Sequence, residues 1–348
     1  MSAISIAQDG LFRSADERVI GRWLLFCCGV LLALVMLGGA TRLTESGLSI
    51  VDWKPVTGVL PPMDDAAWQT EFARYQSSPQ YTKVNHGMSL AEFKTIFWYE
   101  WGHRLLARLL GLVFALPLLW YWLRGTVTPR LRWPLIGILC LGAAQGYMGW
   151  FMVKSGLVDV PRVSHFRLAA HLSLALLIYA AMFTLALKLL WPRSTQARAL
   201  TGVVRSLLTL LAITIVFGAF VAGLRAGLMF NTWPMMGEHW IAPGMLAFDP
   251  WWRNALENPV AIQFIHRCLA LLTLALCAGL WWRMRRQPLE ASQRLALNVL
   301  AGMVLVQVSL GIATLLLHVP VWLGTLHQGG AVLLLSAALM LRHRSLAA

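Results

Sequence analysis

Eight apolar stretches, each near the length that crosses a bilayer, constrain this chain more than any other feature. A spanning helix needs about 20 mostly apolar residues. Runs of that kind occupy 22–43, 97–123, 133–153, 166–190, 206–228, 261–282, 295–317 and 323–341. The last is the shortest, because Val319, Pro320 and Val321 leave room for only a tight turn before it. Composition agrees: of 348 residues, 58% are hydrophobic and 13% charged, against roughly 25% charged in an ordinary soluble protein. The expected fold is all-α, a polytopic membrane protein with eight transmembrane helices.

The +14 formal charge could suggest nucleic acid, but a nucleic-acid footprint needs basic residues gathered on one soluble face. Here they form short clusters between apolar runs, so nucleic acid is excluded and membrane lipid is the expected surrounding. Counting Lys and Arg near the span ends puts both termini on the cytoplasmic side. The N-terminal stretch lacks a signal peptide's short apolar core and cleavage site, so the first helix is expected to be an uncleaved anchor. With no organellar presequence either, the expected location is the bacterial inner membrane. Cys27, Cys28, Cys140, Cys268 and Cys277 all fall within apolar runs. They read as buried small hydrophobes, not as a disulfide framework or a metal site.

The second four spans echo the first. Span one ends GGATRLTESGL and span five VAGLRAGLMF, placing Arg42 and Arg225 just past a glycine. Span two carries His103-Arg104 and span six His266-Arg267. Span three has QGYMG and span seven QVSLG, matching Gln145 with Gln307 and Gly149 with Gly311. Span four has His171 and span eight His327. Four spans return the chain to its starting side, so the repeat is parallel, about an axis along the membrane normal. The expected organisation is a cytoplasmic segment 1–21, a four-helix half 22–190, a linker 191–205, a second four-helix half 206–341 and a tail 342–348. The two halves are expected to be pseudo-symmetric bundles.

An ionisable residue inside a membrane helix is costly and marks function by default. A lone histidine there is as readily a hydrogen bond to a neighbouring helix, but four at matched positions are not. All four lie in the first two turns of helices that start on the outer side, with His103 roughly 10 Å below its helix end. Each half thus presents two imidazoles at one depth from two helices, which suits bis-histidine ligation of a haem. Zinc wants three or four ligands at one centre. A di-iron bundle wants a Glu-x-x-His on each of two helices, and only Glu100-Trp101-Gly102-His103 provides one; the second half has Gln263 in place of Glu100.

Haem propionates call for arginine. Arg42, Arg104, Arg108 and Arg167 could serve in the first half, and Arg225 and Arg267 in the second. Snorkelling to the outer interface accounts for Arg42 and Arg225 equally well. The remaining histidines read as solvated or interfacial, His165 and His239 being the first to suspect otherwise. Glu100 shares a helix face with His103, and a carboxylate there could act as general base or stabilise a developing cation. The alternative is a simple pairing of Glu100 with an arginine.

At these residues the chain resembles the haem A synthase family. GGATRLTESGLSIVDWKPVTGVLPP, EFKTIFWYEWGHRLLARLLG, GYMGWFMVKSGL, HFRLAAHLSLAL, GLRAGLMFNTWPMM, QFIHRCLA and TLHQGGA carry the likeness, which extends over nearly the whole chain. The resemblance implies a resident haem b in the second half with His266 and His327 as axial ligands. It implies a substrate site for haem O in the first, with His103 and His171 at its iron and Glu100 beside the chemistry. The implied reaction oxidises the C8 methyl of haem O to a formyl group, with oxygen from water. Expected partners are haem O, an electron acceptor the sequence does not identify, haem O synthase and cytochrome oxidase assembly factors, with a homo-oligomer allowed. No cysteine stands in a loop, so the chain is similar to the family's cysteine-free branch. The competing reading is a dihaem cytochrome b that transfers electrons without modifying haem. A transporter ranks lower, since it would place its site at the midplane.

Overall fold

The apolar runs build longer helices than their hydropathy marks. In the computed structural model, residues 15–53, 57–156, 163–191 and 201–345 are described. The expected N-terminal segment before residue 15, most of the linker and the last three residues lie outside them. Helix α1, Ala15–Leu43, begins seven residues before the apolar run at 22. Asp16 and Glu17 suit the positive end of a helix, and Glu17 is buried in an ion pair with Arg130. In the first long connection lie α2, Asp65–Gln76, capped by Asp64, and α3, Pro79–Lys83, capped by Ser78. Helix α4, Leu90–Leu123, also starts seven residues ahead of its apolar run. A capping box sets that start: Ser89 Oγ accepts from Glu92 N (3.3 Å), and the Glu92 carboxylate accepts from Ser89 N (2.8 Å).

Helix α5 spans Pro129–Gly156 and α6 His165–Leu190. Helix α7, Thr201–Gly223, stops five residues short of the expected 228. Arg225 takes a left-handed conformation (φ 55°) and leads into a 3₁₀ turn at Ala226–Leu228, which ends the helix. The short α8, Arg253–Glu257, precedes α9, Pro259–Met284, then α10, Ala291–Leu316, and α11, Val321–Ser345. Among the described residues, eight helices are long and apolar enough to cross a membrane: α1, α4, α5, α6, α7, α9, α10 and α11.

Helix α1 packs on α4 and α6, and α5 on α6; α7 packs on α9 and α11, and α10 on α9 and α11. Contacts of α1 with α11, and of α6 with α7 and α11, join the two sets. In a bilayer, close packing and interhelical hydrogen bonds hold helices together. A Cβ on Gly39 would fall 2.5 Å from Gln328 Oε1, and one on Gly329 2.9 Å from Met36 Sδ, so glycine brings α1 and α11 together. Gln328 then donates to Val35 O at 2.9 Å, and Tyr179 and Ser336 share a 2.9 Å hydroxyl bond.

Trp68, Phe72 and Tyr75 of the first long connection pack on Phe93 and Phe97 in the first turns of α4. Two expectations are corrected. Cys27, Cys28 and Cys277 are buried, but Cys140 and Cys268 lie on exposed helix faces; in lipid an outward face is as apolar as a core, so hydropathy does not separate them. His343 is no solvated tail residue: it is buried in the last turn of α11, with Nε2 3.1 Å from Trp191 O.

Candidate functional site

Each of the four matched histidines lies against a glycine on the preceding membrane helix. A Cβ on Gly38 of α1 would stand 3.0 Å from His103 Nε2, and one on Gly149 of α5 3.3 Å from His171 Cε1. A Cβ on Gly218 of α7 would stand 3.1 Å from His266 Cε1, and one on Gly311 of α10 2.9 Å from His327 Cε1. Any larger residue would crowd the ring, so glycine is what seats an imidazole against the neighbouring backbone. The sequence pattern marks Gly149 and Gly311, and Gly38 opens the GGATRLTESGL segment; Gly218 passes unnoticed within an ordinary apolar run.

Hydrogen bonds orient the rings. His266 Nδ1 lies 3.1 Å from Thr214 O. A carbonyl only accepts, so Nδ1 carries the proton and Nε2 keeps its lone pair for a metal. Gln307 Nε2 donates to His327 O at 2.9 Å and meets His327 Nδ1 at 3.2 Å. Gln145 Nε2 donates to His171 O at 3.1 Å and meets His171 Nε2 at 3.3 Å. The matched glutamines thus tie each fourth helix to the third. His171 Nδ1, Gln145 Oε1 and Gln307 Oε1 are buried without a hydrogen-bond partner, a state that costs about 1–3 kcal/mol per group. His103 and His171 are close enough to interact electrostatically, as are His266 and His327. Among the described residues no group of three or more His, Cys, Asp or Glu could hold a metal ion. Two imidazoles per half, glycine seats and orphaned polar atoms fit a porphyrin iron.

Glu100 is 2% exposed, and both its oxygens are engaged. Oε2 accepts from Ser49 Oγ (2.7 Å) and Ile50 N (2.8 Å), and Oε1 pairs with Arg104 Nη2 (2.7 Å). Three bonds on a carboxylate with about four acceptor positions leave Oε1 one site for a water or substrate proton. Arg104 also donates to Ile50 O (3.0 Å) and lies over the Trp53 ring, so α4 grips residues 49–53. The second half has the same grip with other chemistry. Gln263 donates to Phe230 O (3.0 Å), and Arg267 to Phe230 O (2.9 Å), Thr232 O (3.0 Å) and Met235 O (3.2 Å).

The other arginines divide. Arg42 donates to Gly223 O at 2.9 Å and Arg225 pairs with Glu45, so each reaches across to the opposite half. Arg167 lies over the Phe151 ring, 4.7 Å from its centroid. Arg104 and Arg108 line a cavity of about 260 Å³, with Ile50, Asp52 and Trp101. His165 Nε2 bonds Leu256 O at 2.7 Å, and His239 forms a bridge with Met236.

Fold and site together define a multi-pass helical membrane protein with paired intramembrane histidines. The COX15-CtaA family model, described as cytochrome oxidase assembly protein, matches residues 21–339. The chain is 48% identical over 334 residues to a "Heme A synthase" of Nitrosospira multiformis, covering 94% of each chain. It is 49% identical over 334 residues to one of Paramagnetospirillum magneticum, again covering 94% of each, and 48% identical over 345 residues to one of Mesorhizobium japonicum, covering 97% of this chain and 94% of that one. The chain belongs to this family and is a multi-pass protein of the bacterial inner membrane.

Proposed function

We propose that the protein is a haem A synthase: an enzyme that oxidises the C8 methyl of haem O to a formyl group, for terminal oxidase assembly. The observation that carries the reading is the four-fold histidine–glycine seat, in a chain that shares about half its residues with proteins of that name. Converting CH₃ to CHO consumes one net water and releases four electrons and four protons, by way of the alcohol and the hydrate of the aldehyde. An electron acceptor is therefore required.

In this proposal the first half takes haem O, with His103 and His171 at its iron, and the second half holds haem b between His266 and His327. Haem b, when bound, supplies a one-electron carrier beside the substrate site. The Thr214 carbonyl fixes the His266 tautomer that ligates, and Gln307 holds His327 to α10. Glu100 has one acceptor site left and serves as base toward the attacking water, while Ser49, Ile50 and Arg104 hold it in place. Arg104 and Arg108, which line the same cavity, are the proposed propionate partners of the first half. Haem O synthase and oxidase assembly factors are the proposed neighbours in the membrane.

A dihaem electron-transfer protein remains the second reading, favoured by one observation: the Glu100 carboxylate is already held by three protein groups. Expression beside a source of haem O, followed by mass spectrometry of extracted haems, separates the two. Haem A or hydroxylated haem O supports the synthase; its absence from a folded, haem-bearing protein refutes it.

A further inference from the structure

The halves differ most in how their second and third membrane helices meet. Helices α9 and α10 pack along one another, whereas α4 and α5 share only a short contact. Residues at matched registers on these helices differ too. Gly111 stands eight residues after His103, where the second half has Leu274 eight after His266. Gly142 stands three before Gln145, where the second half has Val304, and Gly146 one after, where it has Val308. A Cβ on Gly111, Gly142 or Gly146 would meet nothing within 4 Å, and all three positions are exposed. Two of their counterparts are filled: Val304 is 2% exposed and Leu274 packs on the second-half core. Gly142 lies two helical turns before Gly149 and so shares its face, the face that Gly149 turns to His171. The open glycine positions therefore lead toward the histidine site.

We propose that the α4–α5 seam is a lateral passage by which a porphyrin substrate moves between the bilayer and the His103–His171 site, with Gly111, Gly142 and Gly146 setting its width. The proposal rests on the haem O reading. A largely apolar porphyrin partitions into hydrocarbon, and a flat ring system needs a narrow slot where side chains would otherwise interlock. A half that keeps its haem needs no such slot, and its α9 and α10 pack along one another. A half that admits one molecule and releases another does.

The test installs second-half residues in the first. In cells supplying haem O, Gly142→Val and Gly146→Val are each expected to lower product formation roughly ten-fold, the penalty of overfilling a fitted slot. The resident haem's absorption stays unchanged. Gly137→Val is the control: it also meets open space, but twelve residues from Gly149 it points a third of a turn away. A second measurement does not depend on turnover. In a chain carrying Cys140→Ser and Cys268→Ser, Gly142→Cys should react with a membrane-soluble maleimide, and added haem O should protect it. Full product formation in both valine variants, equal loss in Gly137→Val, or labelling without protection overturns the passage. A wild type that makes no haem A defeats the synthase reading instead, while protection by haem O still reports on the passage.

Discussion

Glu100 and Gln263 stand three residues ahead of a histidine in their respective halves, yet they hold their loops by opposite chemistry. Residues 49–50 offer two donors, a serine hydroxyl and a backbone N–H, and Glu100 accepts both. The 230 loop offers a carbonyl, and Gln263 donates to it. Loss of the carboxylate in the second half is therefore not simply loss of a catalyst: the loop it meets has changed sign with it. The seams differ in the same direction. Helices α4 and α5, which meet only briefly, carry exposed glycines where α9 and α10, which pack along one another, carry Leu274 and the buried Val304. A common plan of imidazole, glycine and glutamine carries a carboxylate–arginine pair in one half, and an amide beside an arginine in the other. That contrast is what an exchangeable substrate and a retained cofactor would need.

The largest expected effects test the division directly. His266→Ala should lose the resident haem, read as loss of the bis-histidine absorption of the purified protein. His103→Ala should keep that absorption and form no product. Identical spectra from the two variants would break the division of labour.

Next comes Glu100→Gln. An amide cannot satisfy Ser49, Ile50 and Arg104 together, and removing one partner of a buried ion pair costs about 3–5 kcal/mol. Turnover should fall at least ~100-fold while the resident haem remains, measured by product formation and absorption on one preparation. Ser49→Ala sharpens the role. It removes one bond to a charged acceptor, worth about 2 kcal/mol, and leaves the carboxylate. A base held by its loop predicts a partial loss of turnover; unchanged turnover would free Glu100 from the loop.

Gln263→Ala removes one neutral bond of about 1 kcal/mol, so a small drop in the temperature of resident haem loss is expected, with no change at the substrate site. Arg225→Ala should do least. Its pair with Glu45 is half-exposed, and such pairs contribute about 0–1 kcal/mol. A larger shift in that melting temperature would make the cross-half link a structural requirement.

Much of this was legible in the sequence, and the exceptions have physical reasons. Eight spans follow from apolar length alone, because a bilayer demands continuous hydrophobicity. Their ends do not: α1 and α4 extend seven residues into polar sequence through Asp16, Glu17 and the Ser89–Glu92 box. The capping signal was present in the sequence but carries no hydropathy. The four histidines stand out because charge in lipid is rare. Gly218 does not, since glycine is common in membrane helices and only a neighbouring ring gives it meaning. The arginines were legible as charges and illegible as partners. That Arg42 reaches Gly223, or Arg225 reaches Glu45, depends on how the halves meet, which no local pattern encodes.

The central claim is that haem is a cofactor in one half and a substrate in the other. Its most direct test is the haem inventory of the purified protein after co-production with haem O synthase, compared between wild type and His103→Ala by mass spectrometry. The account predicts haem b in both, with haem A or hydroxylated haem O in the wild type alone. Haem b as the only haem in a wild-type protein of normal bis-histidine absorption would contradict it.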